Sequence, residues 1–259
     1  MGHRGTVERE FTRQAESFAA SATLAAPELT EGVAAALGSE RHARALDVAC
    51  GPGALSAALS PRAEQVVCVD LTPEVLRIAR QRGQAGGLGN LYYARALAER
   101  LPFAAGCFDA AVLRLALHHF ERPLPALHAI REALRPGGRL ALLDLLSSPD
   151  AATARFHNAV EKLRDPSHCE LHAADGLQRL LREAGFRIES CASWRKPREV
   201  REWLGIVADP VRTDALEIVL RQLCRAGVDT GLELREVDAE LWMTYEWCLI
   251  VARVEEVDT

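Results

Sequence analysis

Between Arg44 and Leu146 short apolar runs alternate with helical patterns, and this alternation constrains the fold more than any other feature. "ALDVAC" (45–50), "EQVVCVDL" (64–71), "NLYYARA" (90–96), "CFDAAVLRLAL" (107–117) and "RLALLDLL" (139–146) each read as a strand. The stretches "GALSAALS", "TPEVLRIARQRG" and "PLPALHAIREALRPGG" between them read as helices. Thr72 suits an N-cap, Pro73 a first turn and Gly83 a helix end, and Pro136 with two glycines stops the third helix. Strands and helices alternating at this spacing specify βαβ units and a mostly parallel sheet.

The flanking segments are predicted from the same periodicities. Residues 7–25 and 28–37 read as helices separated by Pro27, with Phe11, Ala15, Phe18, Ala19 and Ala22 on one face. Residues 150–164 and 173–185 are helical, and "FRIESCASW" (186–194) is a sixth strand. Residues 198–226 form two helices broken at Pro210, and "AELWMTYEWCLIVARV" (239–254) is a long final strand.

Composition narrows the function classes. The formal net charge is -5, and no Lys/Arg stripe offers the phosphate contacts that nucleic-acid binding requires. Arg195, Lys196 and Arg198 are followed by Glu199 and Glu202 and read as a solvated helix start. Seven cysteines without a CxxC pair point to free thiols in a reducing cytoplasm. The polar start "MGHRGTVEREFTRQ" is no secretory signal, and no apolar run is long enough to span a membrane. His168 and His172 have metal-ligand spacing beside Cys169, but no further ligand is evident, so no metal is expected.

The first strand ends in a turn, Gly51-Pro52-Gly53, that opens a helix. Ligands of open parallel sheets bind beyond the carboxyl ends of the strands, and glycine lets the backbone approach them closely. A dinucleotide fingerprint would carry a third glycine, where this chain has Ser56. Asp70, ending the second strand, could hold two ribose hydroxyls. These residues alone point to an adenosine-like ligand without choosing one.

The order of motifs downstream chooses. "ALDVACGPG", "VVCVDLTPEVLRIAR", "LAERLPFAAGCFDAAVLRLALHHF" and "LRPGGRLALLDL" together resemble the class I S-adenosylmethionine-dependent methyltransferases, in particular the group around the ubiquinone/menaquinone C-methyltransferases. The resemblance covers residues 8–148, with a weaker echo in "LRDPSHCELHAADGLQRLLREAGF". It implies a Rossmann-like α/β fold: a seven-stranded, mostly parallel sheet, helices on both faces, an antiparallel last strand and a helical insertion before it. It implies one domain over 1–259: a helical lid at 1–40, a cofactor half at 41–148, and a substrate half at 149–259 with its insertion near 196–236.

For single residues the resemblance implies the following. S-adenosylmethionine, leaving as S-adenosylhomocysteine, lies on the turn from Ala49 through Gly51 to Gly53. Asp47 sits under its ammonium group or caps the turn amides. Asp70 and Leu71 meet the ribose, and Leu97, Ala98 and Glu99 the adenine. Leu97 stands where the family often carries an aspartate for the adenine amine, so weaker cofactor binding is expected. Ala49 stands where glycine is commoner and is tolerable with a negative φ. Arg114 and Leu115 flank the methionine end. Phe11 and Phe18 are lid contacts or plain core.

In-line methyl transfer needs alignment and exclusion of water more than any one side chain, and a base only where the acceptor loses a proton. Candidate bases are His118, His119, His157, His168 and His172, with Glu161 and Asp165 nearby. His119 and His168 are favoured for catalysis; Phe18, His118 and Trp203 are assigned to the substrate pocket. The expected acceptor is a small molecule, methylated at O, N or C by a cytoplasmic monomer or homodimer, with secondary metabolism as one setting. The competing expectation is a protein that binds S-adenosylmethionine without methylating, in regulation or a cofactor-assisted rearrangement.

Overall fold

The computed structural model describes residues 2–255. Two helices, α1 (His3–Ala20) and α2 (Pro27–Ala36), precede β1 (His42–Val48). The alternating part follows as α3 (Ala54–Leu59), β2 (Ala63–Asp70), α4 (Pro73–Ala85), β3 (Leu91–Arg95), β4 (Phe108–Arg114), α5 (Pro123–Ala133) and β5 (Leu134–Leu146). The second half adds α6 (Ala151–Arg164), α7 (Ala174–Glu183), β6 (Phe186–Glu199), α8 (Val200–Gly205), α9 (Pro210–Arg225), β7 (Arg235–Val237) and β8 (Glu240–Val254).

The sheet runs β3-β2-β1-β4-β5-β8-β6, with β7 pairing β8. β1 through β5 are parallel, and β8 runs antiparallel between β5 and β6. Successive residues of the central strands feed opposite cores. Ala45, Val66, Ala110 and Ala141 pack on one face, and Leu46, Val67, Ala111 and Leu140 on the other. Both faces are therefore covered, as a parallel sheet requires.

Several boundaries differ from those the sequence predicts. The sheet has eight strands rather than seven, because β7, three residues long, pairs with β8. Helix α1 already begins at His3 and ends at Ala20. Helix α4 runs through Gly83 to Ala85, where a Cβ on Gly83 would lie 2.4 Å from the Tyr93 hydroxyl. Helix α5 stops at Ala133, before Pro136, because Leu134 already pairs with Phe108 in β5. The insertion starts later than predicted, since β6 continues to Glu199 by pairing along the length of β8.

Candidate functional site

The carboxyl ends of β1, β2 and β4 open into a cavity of about 160 Å³ under helix α1. Asp47, Ala49, Gly51, Asp70, Leu71, Leu97, Ala98, Glu99, Arg114, Leu115 and Phe18 all line it. Gly53 does not. It adopts φ +81° ahead of α3, and a Cβ there would lie 3.0 Å from the Ala79 Cβ, so this glycine serves the close packing of α3 on α4.

The turn is held from the neighbouring strand. Asp70 Oδ2 accepts from the Gly51 amide at 3.0 Å, and Oδ1 from the Thr72 amide at 2.8 Å. Burial raises the Asp70 pKa, opposed by these amide bonds. Gly51 takes φ +54° with Phe18 alongside at 3.4 Å from its would-be Cβ. Ala49 takes φ +52° rather than the negative value expected of it, because the chain leaving β1 must turn left-handed before Gly51. Leu115 leaves β4 with the same φ of +52°.

Asp47 is buried, and its Oδ2 accepts from the Ser56 hydroxyl at 2.5 Å. Burial lifts its pKa to about 7, against the Ser56 hydrogen bond and the charge of Arg114. Arg114 is itself desolvated, which lowers its pKa, and donates to the Leu24 carbonyl at 2.8 Å. The acid therefore gains from any ligand cation placed beside it.

A second cavity of about 40 Å³ shares Phe11, Phe18, Leu115 and His119 with the first. His118 and Trp203 line it, together with Gln14, Arg164, Asp165, Arg198 and Trp247. Phe11 stacks edge-on against both Phe18 and His119, at 6.1 and 5.0 Å between centroids, so these α1 rings form wall rather than remote core. His168 reaches neither cavity. It packs behind His118, 5.7 Å between ring centroids, and its Nε2 lies 2.8 Å from Asn158 Oδ1.

The three histidines differ in electrostatics. His118 Nδ1 lies 2.5 Å from Asp144 Oδ1. Burial pulls the His118 pKa down, but the charge and hydrogen bond of Asp144 outweigh it, and the net shift is upward. His119 is pushed down to about 3 by burial and by the charge of His118. Its Nδ1 lies 3.1 Å from Ser167 Oγ, which donates to Asp165 Oδ1 at 2.6 Å. Burial and the charge of His118 take His168 down to about 4.

Sequence reasoning passed over Asp144 as a partner for His118, although a lone acid inside "RLALLDLL" signals a buried role. It also missed His3, whose Nε2 lies 2.8 Å from the His119 carbonyl oxygen, and Gln14, which donates to Asp165 Oδ2 at 3.0 Å. Among the described residues no group of three or more His, Cys, Asp or Glu is arranged to hold a metal, and no helix is long and apolar enough to cross a membrane.

A mostly parallel sheet with a tight turn after β1 and an acid ending β2 defines a Rossmann-like α/β protein, a class whose ligands bind beyond the carboxyl ends of the strands. Residues 46–142 match the profile of a methyltransferase domain family. The uncharacterised methyltransferase YcgJ of Bacillus subtilis is 29% identical over 161 residues, which make up 62% of this chain and 64% of that protein. Its crystal structure superposes with a TM-score of 0.80 at 23% identity, covering 88% of this chain and 98% of that one. The uncharacterised protein YafE of Escherichia coli is 31% identical over 59% of this chain and 74% of its own length. The ubiquinone biosynthesis O-methyltransferase of Xanthomonas axonopodis is 35% identical over 42% of this chain, a match that spans 46% of that enzyme. The chain belongs to the class I S-adenosylmethionine-dependent methyltransferase family.

Proposed function

We propose that the protein transfers a methyl group from S-adenosylmethionine to a small organic acceptor by in-line displacement at O, N or C. The observation that carries this reading is the pair of adjoining cavities. The larger has a nucleoside site's groups at the strand ends, and the smaller meets it only across Phe11, Phe18, Leu115 and His119. The cofactor supplies a methyl group on an already activated sulfonium. The protein's part is to bind, align and exclude water.

Asp70, fixed by two amides, accepts the ribose hydroxyls, and Gly51 lets the backbone lie against them. Asp47 faces the ammonium group, and Leu97, Ala98 and Glu99 wall the adenine. Leu115 and His119 stand at the junction where the methyl group crosses. Where the acceptor must lose a proton, His118 takes it. Asp144 holds Nδ1–H and leaves Nε2 as the basic nitrogen. His119, pushed to about 3, and His168, outside both cavities, are weaker candidates than their sequence positions suggest.

The test is to incubate the protein with methyl-labelled S-adenosylmethionine and a library of small acceptors, following label and S-adenosylhomocysteine. Label in a product supports transfer; tight cofactor binding with no labelled product from any acceptor would refute it. Asp70→Ala should weaken cofactor binding roughly ten- to a hundredfold, the worth of a charge-assisted hydrogen-bond pair. Unchanged affinity by calorimetry would remove Asp70 from the site.

A further inference from the structure

His119 lies on the wall that the two cavities share, and its ring is anchored through Nδ1. Nδ1 lies 3.1 Å from Ser167 Oγ, which lies 2.6 Å from Asp165 Oδ1. Asp165 Oδ1 also accepts from the Ser167 amide at 2.8 Å, and Oδ2 from Gln14 at 3.0 Å. Burial pushes the Asp165 pKa up, but His119, Arg164 and the hydrogen bonds from Ser167 and Gln14 outweigh it, and the net shift is downward.

The count of donors and acceptors then leaves one arrangement. An ionised carboxylate can only accept, and the Ser167 hydroxyl has a single hydrogen. That hydrogen goes to the charged partner, which makes the shorter and stronger bond. Ser167 Oγ is therefore the acceptor toward His119, so Nδ1 carries the ring proton and Nε2 a bare lone pair. The His118 and His168 rings lie 4.3 and 6.5 Å away between centroids. Burial and the charge of His118 hold the His119 pKa at about 3, so the ring is neutral near pH 7. Among the described residues Nε2 has no hydrogen-bond partner, and it is not one of the sealed atoms left unpartnered, so it keeps contact with open space. The residue is 8% exposed, and the open space beside it is that of the two cavities.

We propose that His119 selects the molecule to be methylated by accepting a hydrogen bond from its N–H or O–H, with Ser167 and Asp165 as positioning residues that lock the accepting tautomer. The inference rests on the methyltransferase reading for what the ligand is; the tautomer of His119 can be measured without cofactor or turnover. A ligand with a donor completes the chain from Asp165 through Ser167 to His119. One without a donor displaces water from Nε2 and leaves the lone pair buried and unmet, the kind of loss by which a polar site rejects an analogue lacking the matching group. Ethers, ketones and tertiary amines are disfavoured accordingly. His119 thus holds a hydrogen, while His118, backed by Asp144, takes a proton where one must leave.

The experiment follows histidine ring nitrogens of the full chain by nitrogen-15 NMR. The chain has eight histidines, and His119→Gln assigns the relevant pair of signals. If that variant fails to fold, Phe11→Leu assigns them through the lost ring current of the phenyl packed against His119. In the free protein Nδ1 should be protonated and Nε2 bare from pH 5 to pH 8; a proton on Nε2, or titration within that range, would overturn the lock. Ser167→Ala should let the ring proton divide between the two nitrogens, and an unchanged tautomer would show that Ser167 does not position it. Three probes of four heavy atoms, 2-propanol, acetamide and acetone, are then titrated into the free protein and into protein saturated with S-adenosylhomocysteine. 2-Propanol and acetamide should move the Nε2 signal saturably toward its protonated position and bind about tenfold or more tightly than acetone, which has no donor. Acetone binding as well as the others, or no probe moving the signal, would overturn the selection. The same movement with S-adenosylhomocysteine alone would assign the lone pair to the cofactor and overturn it too. Failure of S-adenosylhomocysteine to bind at all would sink the methyltransferase reading instead, and the free-protein spectra would still judge the lock.

Discussion

Asp47→Asn should stabilise the free protein at alkaline pH while impairing it as a cofactor-binding protein. The carboxyl is buried, and its pKa of about 7 lies roughly three pH units above the ordinary 3.8. The native state therefore holds the proton more tightly than the unfolded chain. Below pH 3.8 this costs nothing; the penalty grows as pH rises between 3.8 and 7, and it is complete above 7. At ~1.4 kcal/mol per pH unit the full penalty is about 4 kcal/mol at pH 8, and about 1.5 kcal/mol at pH 5. Asparagine has the same shape, can still accept from Ser56, and stays neutral throughout. Urea denaturation of both proteins at pH 5 and pH 8 should show the variant more stable at each, with the larger gain at pH 8. A gain that does not change with pH, or a loss at pH 8, would refute the reasoning. The binding half follows from the same charge. A ligand ammonium beside Asp47 favours its ionised form, so cofactor binding near pH 7 should release a proton. Calorimetry of the wild type in phosphate and in Tris should then give different apparent enthalpies, and the variant should lose both that difference and much of the affinity.

Three further outcomes are expected. Ala49→Gly relieves a left-handed alanine and should raise stability by about 1 kcal/mol, or about 2–4 °C in the melting midpoint; an unchanged or lower midpoint would show that the φ of +52° is unstrained. Leu97→Asp restores an acceptor at the adenine edge and should tighten S-adenosylmethionine binding roughly fivefold, about 1 kcal/mol; equal affinity would show that the backbone already serves that edge. His118→Asn should cost roughly a hundredfold or more in turnover of a proton-bearing acceptor. The wild-type rate should rise with pH through a midpoint above 6.5, because Asp144 raises the imidazole. A flat pH profile, or full activity in the variant, would exclude proton removal by His118.

Local chemistry explains what was legible beforehand. The strands from β1 to β5 show as apolar runs because both their faces are buried, and Asp70 shows because it closes one such run. What stayed hidden depends on contacts between distant segments. Gly53 reads as a ligand glycine until Ala79 of α4 is seen against it. Asp144 becomes the partner of His118 only when β4 and β5 lie side by side. His168 shares a motif with the site, yet Asn158 of α6 draws its ring away from the cavities. Trp247 is one more apolar letter in a long strand until the sheet order brings β8 beside the smaller cavity. The φ of Ala49 follows from the path of the turn, which side-chain type does not announce.

Helix α1 has a consequence for anyone who shortens this chain. Glu8 and Glu16 pair with Arg95 and Arg77, while Ser17 donates to the Ile206 carbonyl at 2.6 Å and Gln14 to Asp165 at 3.0 Å. The helix is thus stitched to α4 and β3 along one side and to the segments just after α6 and α8 along the other. Trimming to Ser21 would remove Phe11 and Phe18, the partition between two chambers, and would leave the Ile206 carbonyl and Asp165 without those donors. A shortened protein that still folded would have one open trough where the intact chain has two adjoining cavities with a shared wall.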